Sequence, residues 1–238
     1  DKYENNWDKV YFEPELQGKH VMFLFSGEHP ETFFVQRSML IALPRQGIQS
    51  LTILLPFLGN GTDERVNELG QLATAQTYVQ CLTSSIPPTR TGPAVLRIFD
   101  IHALPIQFYA SDAVQMTLMT AIPLLLKELE KMVPHDEYGT KAVIALPDAG
   151  AEKRYEKSLK GHSLFVFNKK REGSKRTLTL SREDPHRSDV VCIADDVALS
   201  GKTLAECAKL LRPKFKTVCA FVTHAVFQQE SRKQFLTG

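Results

Sequence analysis

The segment Asp195-Asp196-Val-Ala-Leu-Ser-Gly-Lys-Thr203 holds the residue types best suited to chemistry in this chain. It grows out of the apolar run from Val190, which reads as a buried strand, Val190 to Asp195, ending on two consecutive acids. Ser200 and Gly201 then form a short turn, and Thr203 opens a helix. Backbone N–H groups at a helix start, together with Ser and Thr hydroxyls, bind phosphate. Two nearby carboxylates accept hydrogen bonds from adjacent hydroxyls. Phosphate at one end and a vicinal diol at the other outline a pentose 5-phosphate. A capped turn with two solvated acids fits the same residues, but a place at a strand end of an α/β sheet favours the ligand.

Four further places stand out, and on their own residues each reads plainly. Asp148 stands between the run Ala142-Val-Ile-Ala-Leu-Pro147 and Gly150 and reads as a turn-forming aspartate. Lys169, Lys170, Arg171, Lys175 and Arg176 crowd a Gly-containing stretch and read as a solvated charged hairpin. His102 follows the strand-like Leu96-Arg-Ile-Phe-Asp100, and its own residues suggest a hydrogen-bonded strand-end histidine. Arg65 opens a helical pattern and reads as a surface helix-start arginine.

These residues need a scaffold that brings strand ends together. Short apolar runs alternate with helical patterns, the βαβ signature of a parallel sheet covered on both faces. Strands are expected at His20 to Phe25, Leu51 to Pro56, Leu96 to Asp100, Ala142 to Pro147, Val190 to Asp195 and Lys216 to Val222. Leu164 to Asn168 and Thr177 to Leu180 are two more β-prone pieces flanking the basic stretch. Helices are expected at Thr32 to Ala42, Glu64 to Leu82, Ala121 to Met132, Ala149 to Leu159 and Thr203 to Leu211. The connection around Ala110 to Gln115 is the expected boundary, giving domains 1–113 and 114–238.

The bulk composition narrows the class. The 238 residues, 43% hydrophobic and 24% charged, supply two modest α/β domains with ample core. A formal charge of +2, from 29 basic and 27 acidic side chains, offers no footprint for nucleic acid or a membrane surface. No apolar run approaches the ~20 residues of a membrane span. Cys81, Cys192, Cys207 and Cys219 have neither CxxC nor CxxH spacing and read as buried free thiols in a reducing compartment. A cytoplasmic location is expected, with organellar targeting left open because the chain starts at Asp1.

Taken together, the motifs carry a resemblance. Val190 to Thr203 resembles the phosphoribosyl-diphosphate loop of type I phosphoribosyltransferases. Phe221-Val-Thr-His-Ala-Val-Phe227 resembles the strand and turn downstream of that loop in ribose-phosphate pyrophosphokinases. Phe99-Asp-Ile-His-Ala103, Leu146-Pro-Asp-Ala-Gly150, Asn168-Lys-Lys-Arg171 and Thr62-Asp-Glu-Arg65 resemble four further segments of that family, in order. Gly-Thr-x-Glu-Arg and Leu-Ala-Thr-Ala are closest to its plant-type (class II) branch. The resemblance implies two tandem phosphoribosyltransferase-like domains, each a mainly parallel sheet flanked by helices. It implies transfer of the diphosphoryl group of ATP to ribose 5-phosphate with Mg²⁺, in a homo-oligomer. Lys169 and Arg171 would be catalytic, and Arg65 and His102 would bind ATP. His102 and Asp148 would hold the metal. Asp195, Asp196, Ser200, Gly201, Lys202 and Thr203 would bind ribose 5-phosphate.

Several positions depart from the family pattern. Lys202 stands where a small residue is usual, Leu199 where a polar or acidic one is, and Thr62 where the bacterial-type ATP loop has Arg. The Phe-x-Asp-Gly-Glu segment of bacterial-type enzymes is absent from the expected N-terminal stretch. Family members continue beyond the region matching Phe227, so an incomplete second domain is expected. The competing readings are a non-catalytic paralogue and a transferase that consumes the product; Thr62 to Arg65 and His102 disfavour the latter, which needs no ATP site.

Overall fold

The computed structural model describes residues 9–12, 15–27, 29–133, 140–172, 175–228 and 230–235, apart from the side chains of 169–172, 175–177 and 234. The chain forms two compact units, 1–119 and 120–238.

The first unit is a four-stranded parallel sheet in the order β1-β2-β3-β4: β1 (His20–Leu24), β2 (Ser50–Leu55), β3 (Ala94–Phe99) and β4 (Val114–Met119). Helix α1 (Pro30–Ala42) starts with Pro at its first position, where the missing N–H is no loss. It runs into a 3-10 turn, Leu43–Gln46, that Pro44 opens and Gly47 ends at φ 71°. Helix α2 (Thr74–Thr83) buries Ala75, Val79 and Leu82, its i, i+4, i+7 stripe, against Leu51, Ile53, Leu96 and Ile98 of the sheet.

Three expectations are corrected here. The helical pattern over Glu64 to Leu82 yields a helix only from Thr74. Gly70 sits at φ 87°, and Val66, Leu69 and Leu72 are exposed, so the first half of the pattern packs on nothing. The first unit runs past the expected boundary at 113/114, because Val114–Met119 pairs residue for residue with Ala94–Phe99 and completes the sheet. Cys81 lies exposed on the outer side of α2; Cys192 and Cys207 are buried, Cys219 is half-buried, and all four are free.

The second unit is a five-stranded sheet in the order β7-β6-β5-β8-β9, from β5 (Val143–Leu146), β6 (Leu164–Glu172), β7 (Lys175–Glu183), β8 (Val190–Ala198) and β9 (Thr217–Ala225). All neighbours are parallel except the β6–β7 hairpin. Its central strands are apolar on both faces and alternate with period two. Ile144, Leu146, Leu164, Val166, Cys192 and Ala194 pack with α3 (Ile122–Glu130) and α4 (Ala149–Tyr155). Val143, Ala145, Phe165, Phe167, Val191 and Ile193 pack with α5 (Lys202–Leu211). Helices α4 and α5 therefore cover opposite faces.

Candidate active site

The second sheet has one topological switch point. After β5 the chain crosses to β6 on one side, and it later returns to β8 on the other. The loops leaving β5 and β8 turn to opposite faces and open a crevice between them, the usual ligand position in such sheets. Asp148 leaves β5 and the segment Asp195 to Thr203 leaves β8, so the two main motifs of this half flank that crevice.

The acids lie inside β8 rather than at its end. The strand continues three residues past the expected Asp195 to Ala198, because Val197 and Ala198 keep pairing with His224 and Ala225 of a β9 that is longer as well. Alternation turns Asp196 toward the α4 face. There its Oδ1 accepts a hydrogen bond from Arg154 Nη1 at 2.7 Å, with side-chain exposures of 10% for Arg154 and 3% for Asp196. The backbone N–H of Asp196 donates to Asp195 Oδ1 at 3.0 Å. Burial, then the Asp196 carboxylate, then Asp148, push the Asp195 carboxyl up to about 7. Asp148 itself caps α4, accepting from the Ala151 N–H at 3.0 Å.

The turn between β8 and α5 is closed by a glycine. Gly201 caps α5 at φ 70°, a conformation L side chains rarely adopt. It offers no side-chain cap of its own, and the Lys202 N–H, the first of α5, donates to Ser200 Oγ at 3.5 Å. Ser200 is exposed and Thr203 half-buried at that helix start. Lys202 is the first helical residue and is exposed; the left-handed conformation falls on Gly201, so a side chain at 202 does not strain the turn. The segment just after β9 braces the loop: Phe227 N–H donates to Ala198 O at 2.9 Å and Gln228 N–H to Leu199 O at 2.7 Å.

Lys169 and Arg171 lie on a strand, not in a loop. Their backbones pair with Leu178 and Arg176 in the β6–β7 hairpin. Pairing of β5 with β6 stops at Leu146 and Val166, so the hairpin runs on past the carboxyl edge of the sheet. The side chains of Lys169 and Arg171 fall outside the described residues.

In the first unit, Arg65 and His102 sit on loops after the carboxyl ends of the adjacent strands β2 and β3. Asp100 is buried at φ 39° and gives its N–H to Met119 O at 2.9 Å; the reversal leaves His102 exposed. Tyr109 Oη donates to Glu64 O at 3.2 Å and ties the two loops together. Arg65 is exposed and bridges its neighbour Glu64 at 2.9 Å.

Among the described residues, no three His, Cys, Asp or Glu side chains form a metal cage. The donor set nevertheless suits Mg²⁺, which takes one or two carboxylates and completes its shell with water and substrate phosphate. The crowding that raises Asp195 is the kind a divalent cation relieves. Sequence reasoning missed Arg154, Tyr109 and Asp100. Arg154 is 42 positions from Asp196, and only the fold makes them neighbours.

A mostly parallel sheet whose switch point carries adjacent acids and a glycine-capped turn gives the second unit a phosphoribosyltransferase-like α/β fold. Comparison with known proteins makes this specific. The chain is 43% identical over 222 residues to ribose-phosphate pyrophosphokinase 4 of Oryza sativa subsp. japonica, covering 93% of this chain and 66% of that protein. It is 42% identical over 221 residues to the chloroplastic ribose-phosphate pyrophosphokinase 3 of the same plant, covering 92% and 53%. The phosphoribosylpyrophosphate synthetase of Mycobacterium smegmatis has the same fold, with a TM-score of 0.68 and 22% identity over all of this chain and 75% of that one. No family model matches. The chain is thus a sequence relative of the ribose-phosphate pyrophosphokinases, the plant enzymes numbered 3 and 4 among them, and shares their fold. It spans between about half and two-thirds of the length of these plant relatives.

Proposed function

We propose that this protein is a ribose-phosphate diphosphokinase. It transfers the diphosphoryl group of ATP to the anomeric hydroxyl of ribose 5-phosphate, giving phosphoribosyl diphosphate and AMP for nucleotide biosynthesis. The observation that carries the reading is the acid pair and glycine-capped turn at the switch point of the second sheet. The second unit is the ribose-5-phosphate side and the first the ATP side.

In this reading the turn Ser200 to Thr203 holds the 5-phosphate through backbone N–H groups and hydroxyls. Asp196 is committed to Arg154, so Asp195, half-exposed, offers its oxygens to the ribose hydroxyls. Asp148 in the second unit and His102 in the first are each a proposed Mg²⁺ ligand, and Mg²⁺ would supply charge neutralisation of the triphosphate when bound. Lys169 and Arg171, whose backbones lie on the overhanging hairpin, are the proposed catalytic cations that stabilise phosphate charge as it builds up. Arg65 and His102 bind ATP.

The protein is proposed to act as a homo-oligomer. Among the described residues, no helix is long and apolar enough to cross a membrane. The proposed location is the cytoplasm, with an organelle as the alternative that relatives named chloroplastic and mitochondrial support. A non-catalytic paralogue is the second reading, favoured by Leu199 and Lys202 in the loop. Incubation with ATP, Mg²⁺ and ribose 5-phosphate tests the proposal. Release of AMP that depends on the sugar phosphate supports catalysis; a folded protein that binds ribose 5-phosphate but releases no AMP is the paralogue.

A further inference from the structure

We infer that Arg154 is a positioning residue that sets the aim and ionisation of the Asp195–Asp196 pair, acting through Asp196 and not on the ligand. The inference rests on the proposed function, in which that pair receives the ribose hydroxyls.

Arg154 is itself held rigidly. It sits near the end of α4, whose first turn is capped by Asp148 at the mouth of the crevice. One turn before the end of that helix, Glu152 accepts from Arg182 Nη1 of β7 at 3.0 Å. Arg182 in turn grips both oxygens of Asp184, at 2.9 and 3.0 Å. These ties hold the helix to the sheet, and the Arg154 guanidinium lies over the Tyr155 ring at 5.4 Å while its Nη1 reaches Asp196.

That is an expensive place for a charge. The pair lies on the sheet face that Ile144, Leu146, Ala151 and Ala194 line. Burying two ions there sacrifices the hydration of both, and apolar side chains of similar volume stabilise such a site as well or better. Stability alone therefore does not account for Arg154. Its effect on the acids does. The bond from Arg154 fixes Asp196, and the Asp196 N–H fixes Asp195. The charged groups acting on Asp195 are the carboxylates of Asp196 and Asp148, with the field of Arg154 opposing them. Without the guanidinium, the Asp196 and Asp148 carboxylates would act on Asp195 uncompensated. With it, Asp195 can ionise near neutral pH and accept a hydrogen bond from a ribose hydroxyl.

The test follows the Asp195 carboxyl by carbon-detected NMR titration of the unliganded 238-residue protein, with ribose 5-phosphate affinity measured calorimetrically on the same samples. In Arg154→Met the Asp195 titration is expected to move up by about one pH unit or more, and affinity at neutral pH to fall roughly tenfold. Arg154→Lys restores most of both. Should Arg154→Met fail to fold, Arg154→Met/Asp196→Asn removes both charges together, and Asp195 then titrates below its wild-type value. A purely structural role would lower thermal stability and leave the Asp195 titration in place; that result, in either folded variant, overturns the inference. If Asp195 responds to Arg154 but the wild type binds no ribose 5-phosphate, the proposed function falls and the ligand role of Arg154 with it.

Discussion

Asp195 and Asp196 adjoin in sequence but are treated differently by the fold. One is neutralised by Arg154; the other is half-exposed, with its titration pushed up to about 7. The sign of the consequence is definite. Between the ordinary aspartate range and about pH 7 the folded state holds a proton that the unfolded state has released, so this group lowers stability as pH rises through that window. Asp195→Asn removes the dependence. In urea unfolding at about pH 5 and about pH 8, the variant should gain on the wild type at the higher pH; equal differences at both would contradict the assignment. At the same scale, Lys169→Ala should lower turnover by about a hundredfold, or about 3 kcal/mol of transition-state stabilisation. An unchanged rate would remove Lys169 from the mechanism. The sequence showed the acids, the hydroxyls and the basic stretch, because their types and local spacing carry the signal. Arg154 was invisible, since a single arginine on a short amphipathic helix announces no partner in a strand 42 residues later.

At the scale of elements, the turn before α5 depends on one backbone conformation. Gly201 at φ 70° closes it, and Gly201→Ala should cost about 1 kcal/mol in stability and weaken binding of inorganic phosphate. Denaturant midpoints and phosphate titration check both; full affinity in a destabilised variant would separate the turn from the ligand. Strands read well from sequence where both faces are buried, as in Val143–Leu146, because a continuous apolar run leaves few alternatives, and where one face is buried in strict alternation, as in Ser50–Leu55. Failures came where packing decides. Val66, Leu69 and Leu72 keep a helical spacing yet touch no core, and no helix forms. The strand Val114–Met119 mixes Gln and Thr with Met and Leu, and only its pairing with Ala94–Phe99 makes it a strand. The β-prone pieces around the basic stretch extend to nine residues each because the hairpin pairs with itself beyond the sheet.

At the scale of the molecule, the chain contains two separately cored units. The first core closes around Leu51, Ile53, Leu96 and Ile98, and the second around the two faces of β5, β6 and β8. Each unit packs its own core, so residues 120–238 alone should melt cooperatively and bind ribose 5-phosphate within about threefold of the whole chain, about 0.7 kcal/mol. A non-cooperative melt followed by circular dichroism would show that the units need each other. In the proposed reaction the anomeric oxygen of ribose 5-phosphate attacks the β-phosphorus of ATP, breaking its bond to the α-phosphate bridging oxygen and releasing AMP. Phosphorus-31 NMR of the protein with ATP, Mg²⁺ and ribose 5-phosphate reads that bond directly. Equal amounts of AMP and a sugar C1 diphosphate are predicted; ADP with a sugar bisphosphate, or unchanged ATP, would contradict the claim.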